Sequence, residues 1–121
     1  MFLFLFPFFG TWIWGTGCAP EITQDTMPQR FAEVQCILYK RCERARFDGE
    51  YGTMSKCEED VQKEYEQRIE NASVENASFS SEKAQECIDV LNTSTCEDYW
   101  NEYIDPSGDM YLLCHDETWS L

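Results

Sequence analysis

Seven cysteines in a chain of 121 residues constrain what this sequence can fold into more than any other feature. Cys18 stands alone near the amino terminus, and Cys36, Cys42, Cys57, Cys87, Cys96 and Cys114 are spread over the rest. An even set of six in an exported chain reads as a disulfide framework whose connectivity spacing alone leaves open. A metal site is the competing reading. It is disfavoured because no C-x2-C or C-x4-C spacing occurs and His115 is the only histidine. No metal and no cofactor are therefore expected, and the length allows one small domain.

The segment before Cys18 is a different material. Residues 1–17 read MFLFLFPFFGTWIWGTG, with eleven hydrophobic residues and no charge. The apolar run is too short to span a bilayer as a helix, which takes roughly twenty residues, and fits the hydrophobic region of a signal peptide. The expected organisation is a signal peptide over 1–17, a tether over 18–26 and an acidic, disulfide-rich helical domain over 27–121. Gly15-Thr16-Gly17-Cys18-Ala19 resembles the lipobox of bacterial lipoproteins, with Thr16 and Gly17 at its small positions and Cys18 at the lipidated thiol. Gly15 departs from the aliphatic residue usual in that family, and Met1–Phe6 lack its basic residue. The resemblance implies a lipid anchor on Cys18. With Ala19 following, it also implies sorting to the outer membrane of a diderm bacterium.

Charge narrows the partners. Nine basic residues oppose 23 acidic ones, a formal net charge of −14. Binding nucleic acid requires clustered Lys and Arg to neutralise phosphates, so no nucleic-acid partner is expected. Contact with a membrane is expected only through the lipid anchor, and the domain is expected to be a monomer.

Periodicity predicts an all-α fold, a small disulfide-stapled bundle of three to four helices. Phe31, Val34, Leu38, Cys42 and Ala45 recur at three- and four-residue steps, predicting a helix over 28–46 with Pro28 in its first turn. Phe47–Gly52 then reads as a loop. Cys57, Val61, Tyr65, Ile69 and Ala72 share one face of a second helix, for which Ser55-Lys56-Cys57-Glu58 offers a capping box. A third helix starts at Ser80 or Ser81 and carries Ala84, Cys87, Ile88 and Leu91. A short fourth runs from Ser94 to about Tyr103 and ends before the turn Asp105-Pro106-Ser107-Gly108. Antiparallel packing of the first three helices would set Cys42 opposite Cys57 and Cys36 level with Cys87, leaving Cys96 for Cys114 in a non-helical tail.

The spacing of Ala32–Cys36, Arg41-Cys42, Cys57, Ala84–Leu91 and Thr95-Cys96-Glu97 resembles small cysteine-rich lipoproteins abundant in myxobacteria and related groups. The likeness covers about residues 30–98. It implies a compartment and an architecture, and no activity.

Candidate sites are few. His115 follows Cys114 directly, but adjacent residues seldom point a base at a thiol, so it reads as a tail residue beside a disulfide. Asp105–Asp109 lacks the ligand spacing of a calcium loop and reads as a turn. Lys40, Arg41, Arg44 and Arg46 cluster at a helix C-terminus and should face Glu58, Glu59 and Asp60 across the hairpin. Tyr99, Trp100, Tyr103 and Trp119 form a candidate partner surface, since aromatics anchor interfaces. Asn71, Asn76 and Asn92 head N-x-S/T sequons, glycosylation acceptors only if the chain is eukaryotic. With no catalytic constellation visible, the sequence reads as a non-enzymatic envelope or surface protein that binds a macromolecular partner. The alternative is a soluble secreted effector, inhibitor or glycoprotein.

Overall fold

Helix order follows directly from where the chain places its caps and turns. The computed structural model describes residues 21–73 and 78–119. The expected signal peptide, Cys18 and Asn76 lie outside them. Six α-helices are present among the described residues: α1 (Met27–Cys42), α2 (Arg44–Glu50), α3 (Met54–Ser73), α4 (Ser81–Thr93), α5 (Cys96–Asp98) and α6 (Asp109–Leu112). π-Helical turns extend α5 over Tyr99–Tyr103 and α6 over Leu113–Glu117. The architecture is the expected all-α, disulfide-stapled bundle, with more helical segments than expected.

Local chemistry explains the boundaries. Pro28 sits in the first turn of α1, where its missing N–H costs nothing. Thr53, rather than Ser55, opens α3: its Oγ1 accepts from the backbone N–H of Lys56 at 3.1 Å. Ser80 caps α4 by accepting from Lys83 N–H, and Thr95 caps α5 by accepting from Asp98 N–H. The single helix expected over 28–46 is broken at Glu43, whose φ of −132° and ψ of 56° are not helical. The chain restarts as α2 because Phe47, expected in a loop, is an apolar anchor and is buried. Gly52 ends this element at φ +79°, where its N–H reaches back to the Phe47 carbonyl at 2.9 Å.

One core joins the helices, α5 through its π-helical extension. Phe31, Val34, Leu38, Val61, Tyr65, Ala84, Ile88, Leu91, Tyr99 and Met110 are all buried in it. Ile22, expected in the tether, is also buried, and Ser81 Oγ donates to its carbonyl at 2.6 Å. The C-terminal segment is likewise no tail. α6 and its π turn return against α4, where Ser80 N–H donates to the Thr118 carbonyl at 2.8 Å.

All six expected framework cysteines are in disulfides, but all three expected pairings are wrong. The bridges are Cys36–Cys57, Cys42–Cys96 and Cys87–Cys114. Cys36 and Cys42 are six residues apart, hence about 120° apart around a helix of 3.6 residues per turn. They must face different neighbours: Cys36 meets α3 and Cys42 meets α5. The insertion of α2 also lengthens the connection, so the start of α3 lies opposite Cys36 rather than Cys42. Cys114 then pairs with Cys87 because its segment is a helix packed on α4.

The bridges differ in access. Cys36, Cys57, Cys87 and Cys114 are fully buried, whereas Cys42 and Cys96 are half-buried. Attack on a disulfide needs the thiolate to reach a sulfur. Mild reduction followed by alkylation should therefore label Cys42 and Cys96 first, as read by peptide mapping. Earlier labelling of Cys87 or Cys114 would show that the core opens before the rim.

The turn expected at Asp105 forms. Ser107 donates to Asp105 Oδ1 from its N–H at 3.0 Å and from its hydroxyl at 2.8 Å, which holds the Asp105 carboxyl below its usual range. Gly108 closes it for a steric reason. A Cβ there would lie 2.2 Å from the Glu102 carbonyl oxygen and 2.6 Å from its carbon. Gly108→Ala should push the turn off the end of the Tyr99–Tyr103 segment and cost about 2–3 kcal/mol, measurable by urea denaturation. A loss below about 0.5 kcal/mol would mean that the turn can shift freely.

Candidate functional site

The expected aromatic surface divides into one exposed residue and a buried cluster. Tyr99, Tyr103 and Trp119 are core residues, at 0%, 9% and 5% exposure. They cannot form a partner surface: π-helical geometry and the return of the C-terminal helix turn their rings inward, with Tyr99 stacked on Tyr103 at 5.6 Å. Trp100 stays exposed at 47%. Ile104, one turn further on, is exposed at 41%. A separation of four residues places both on one helical face. Carboxylates surround them in sequence: Glu97, Asp98, Glu102 and Asp105. Residues 84–121 contain nine Asp or Glu and no Lys or Arg. Periodicity did not identify Ile104; its place four residues from Trp100 was the available signal.

The basic cluster does not cross the hairpin as expected. Arg44 pairs with Asp48 at 3.2 Å, and Arg46 pairs with Glu50 at 3.3 Å and Glu43 at 3.7 Å. Lys56 takes Asp60 at 2.7 Å. Partners one helical turn away are already in register, so α2 satisfies its own cations. Arg46 also lies over the Tyr39 ring at 4.5 Å, and Arg41 donates to the Ser94 carbonyl at 2.9 Å, closing the end of α4.

Behind the exposed face lies a polar cluster inside the core. At the break between α1 and α2, the Tyr99 hydroxyl donates to the Glu43 carboxylate and accepts from Gln35 Nε2 at 3.1 Å. Burial and the Glu43 carboxylate push the Tyr99 hydroxyl pKa up. Gln35 Oε1 is buried without a hydrogen-bond partner among the described residues. Deeper in, Trp119 Nε1 donates to the Tyr65 hydroxyl at 2.8 Å, which donates to the Cys114 carbonyl at 3.1 Å. Burial drives the Tyr65 pKa up to about 12.

His115 is the centre of this cluster, not a tail residue. It is 7% exposed, with Tyr111 at 4.3 Å and Phe31 at 5.6 Å between ring centroids. Arg68 Nη1 approaches Nδ1 at 3.0 Å, and the Tyr103 hydroxyl lies 3.1 Å from Nε2. Burial, assisted by the Arg68 charge, pushes the imidazole pKa down to about 3, so it is neutral at pH 7. Arg68 Nη1 also lies 3.2 Å from Nε2, and a neutral ring meets the guanidinium and the Tyr103 hydroxyl with one acceptor nitrogen and one N–H. Cys114 is bonded to Cys87, so the adjacent Cys-His pair contains no thiol to activate. Two small cavities flank this ring: about 80 Å³ beside Ile69, Tyr111 and Trp119, and about 50 Å³ beside Gln35, Glu64 and Tyr103. Arg68 and Tyr65 border both.

Sequence reasoning missed Arg68, Gln35 and Glu43. Gln35 had a visible signal, a polar residue on the buried stripe of α1. Arg68 had none, because its role depends on a helix that the sequence reading treated as a tail.

The sequon residues Asn71 and Asn92 are exposed, Asn71 in the last turn of α3 and Asn92 in the last turn of α4. No described helix is long and apolar enough to cross a membrane. No protein-family model, curated protein or solved structure matches this chain. The fold therefore defines its class in physical terms alone: a small all-α domain closed by three disulfides, of the kind that oxidising compartments favour.

Proposed function

We propose that this is an exported, non-enzymatic binding protein, anchored to the bacterial outer membrane through lipidated Cys18, that captures a basic protein segment on the Trp100–Ile104 face. The observation that carries the binding reading is the exposure of two large apolar side chains one turn apart, in a C-terminal third whose only charged residues are acidic. An exposed tryptophan supplies apolar anchoring area, and surrounding carboxylates select Lys or Arg flanking an apolar residue on the partner. The disulfide framework and the lipobox resemblance support export. The oxidation of Cys114 and the buried, neutral state of His115 support a non-enzymatic role.

Capture from envelope extract by the wild type and Trp100→Ala, at low and high salt, tests the surface. A basic protein held by the wild type, released at high salt and lost with Trp100→Ala is the expected result. Equal capture by both proteins would remove Trp100 from the function. Mass spectrometry of the mature N-terminus tests the anchor: diacylglyceryl on Cys18 is expected. Glycan on the exposed Asn71 or Asn92 would instead favour the secreted glycoprotein reading.

A further inference from the structure

We propose that the cavity beside His115 is a binding site for a short-chain aliphatic monocarboxylate, its tail among Tyr65, Ile69, Tyr111 and Trp119 and its carboxylate on Arg68. The site goes beyond the partner surface and does not depend on it.

Three observations meet here. The first is the state of Arg68. Of the nine basic residues, Arg44, Arg46, Lys56 and Lys83 pair with carboxylates, while Arg68 is among the five that form no ion pair among the described residues. Among the described residues, the contacts of the Arg68 guanidinium are with the His115 ring, at 3.0 and 3.2 Å. A guanidinium has five N–H donors in a planar fork suited to a carboxylate. Donation to the imidazole uses one of them.

The second is the lining of the cavity. The rings of Tyr65, Tyr111 and Trp119, together with Ile69, make its walls apolar. The polar atoms nearest the rings are already committed, since Trp119 Nε1 and the Tyr65 hydroxyl bond each other and the Cys114 carbonyl. A ligand tail entering this space therefore meets mainly aromatic and aliphatic walls, which favours an apolar one.

The third is size and charge. The cavity measures about 80 Å³. A dry cavity of about 150 Å³ accepts benzene, so this one holds roughly three carbons. Asp116 also borders it, which disfavours a second negative charge and restricts the ligand to a monocarboxylate. Because His115 is neutral, Arg68 faces an acceptor rather than a second cation, and its charge stays available.

Sodium butyrate, with three carbons beyond its carboxylate, is the probe. Titrating it into the oxidised protein at constant ionic strength should shift the Trp119 indole N–H and Arg68 Nε–H resonances saturably. A ligand of so few atoms should have a Kd of roughly 1 mM. Arg68→Gln, at an exposed position, should weaken binding at least about tenfold. Butylammonium chloride should bind at least about tenfold more weakly than butyrate. Ile69→Phe, which fills the cavity and leaves Arg68 in place, should also abolish butyrate binding and serves where Arg68→Gln is poorly folded. The proposal is overturned by a butyrate titration still linear at about 50 mM, by equal binding of butylammonium, or by butyrate affinity retained in either folded variant.

Discussion

Replacing Cys87 and Cys114 together by alanine is expected to destabilise the domain by about 3–4 kcal/mol, lowering its melting temperature by about 15–25 °C. The bridge spans 27 residues of sequence and is the covalent tie between α4 and the C-terminal helix. Without it the unfolded chain recovers the freedom of that loop, and two fully buried sulfurs leave the core. The C-terminal helix also positions His115, Tyr111 and Trp119. Near-ultraviolet circular dichroism from these aromatics should therefore weaken along with the melting temperature. A drop of less than about 5 °C would show that packing alone holds the C-terminal helix in place.

Acidification should be the second large effect, with a direction set by His115. Its folded pKa of about 3 lies below the ordinary 6.5. Between those values the unfolded chain binds a proton that the native protein does not, so unfolding is favoured as the pH falls. The stability from this residue is fully present above pH 6.5 and declines by about 1.4 kcal/mol per pH unit below it. The loss reaches about 3 kcal/mol near pH 4. The net charge of −14 acts the other way, since protonating carboxylates relieves repulsion in the compact state. Comparing urea midpoints of the wild type and His115→Gln from pH 7 to pH 4 separates the two. The variant keeps the charge term and loses the histidine term, so its stability should fall less steeply. Parallel profiles would show that His115 is accessible to protons in the native state.

Much of the fold was legible because helices write their register locally. The spacing of Phe31, Val34 and Leu38, and of Ala84, Cys87, Ile88 and Leu91, gave faces that the structure buries. Ser80 capped where its side chain allowed it to. The turn at Asp105 followed from residues that bond their own backbone. Less of the site was legible. Of the four aromatics expected at a surface, only Trp100 remains there, because composition places aromatics in a region but cannot say which side of a π-helical turn each occupies. Glu43 marks the same limit. Its break in α1 redirects Arg44 and Arg46 to partners one turn away, and no periodicity announces it.

The cysteines separate the two levels. Their number beyond Cys18, their parity and the helices that carry them are sequence properties, and they determined that this would be an all-α framework closed by three bridges. Which cysteine met which was decided by tertiary structure. A bridge requires two Cβ atoms within a few ångströms, and that depends on the azimuth of Cys36 and Cys42 around α1, the added length of α2 and the return of the C-terminal segment as a helix. The same return converted His115 from the neighbour of a cysteine into the buried centre of a polar cluster beside Arg68. Burial and the approach of a distant charge are sums over the whole fold, and no local stretch of sequence contains them.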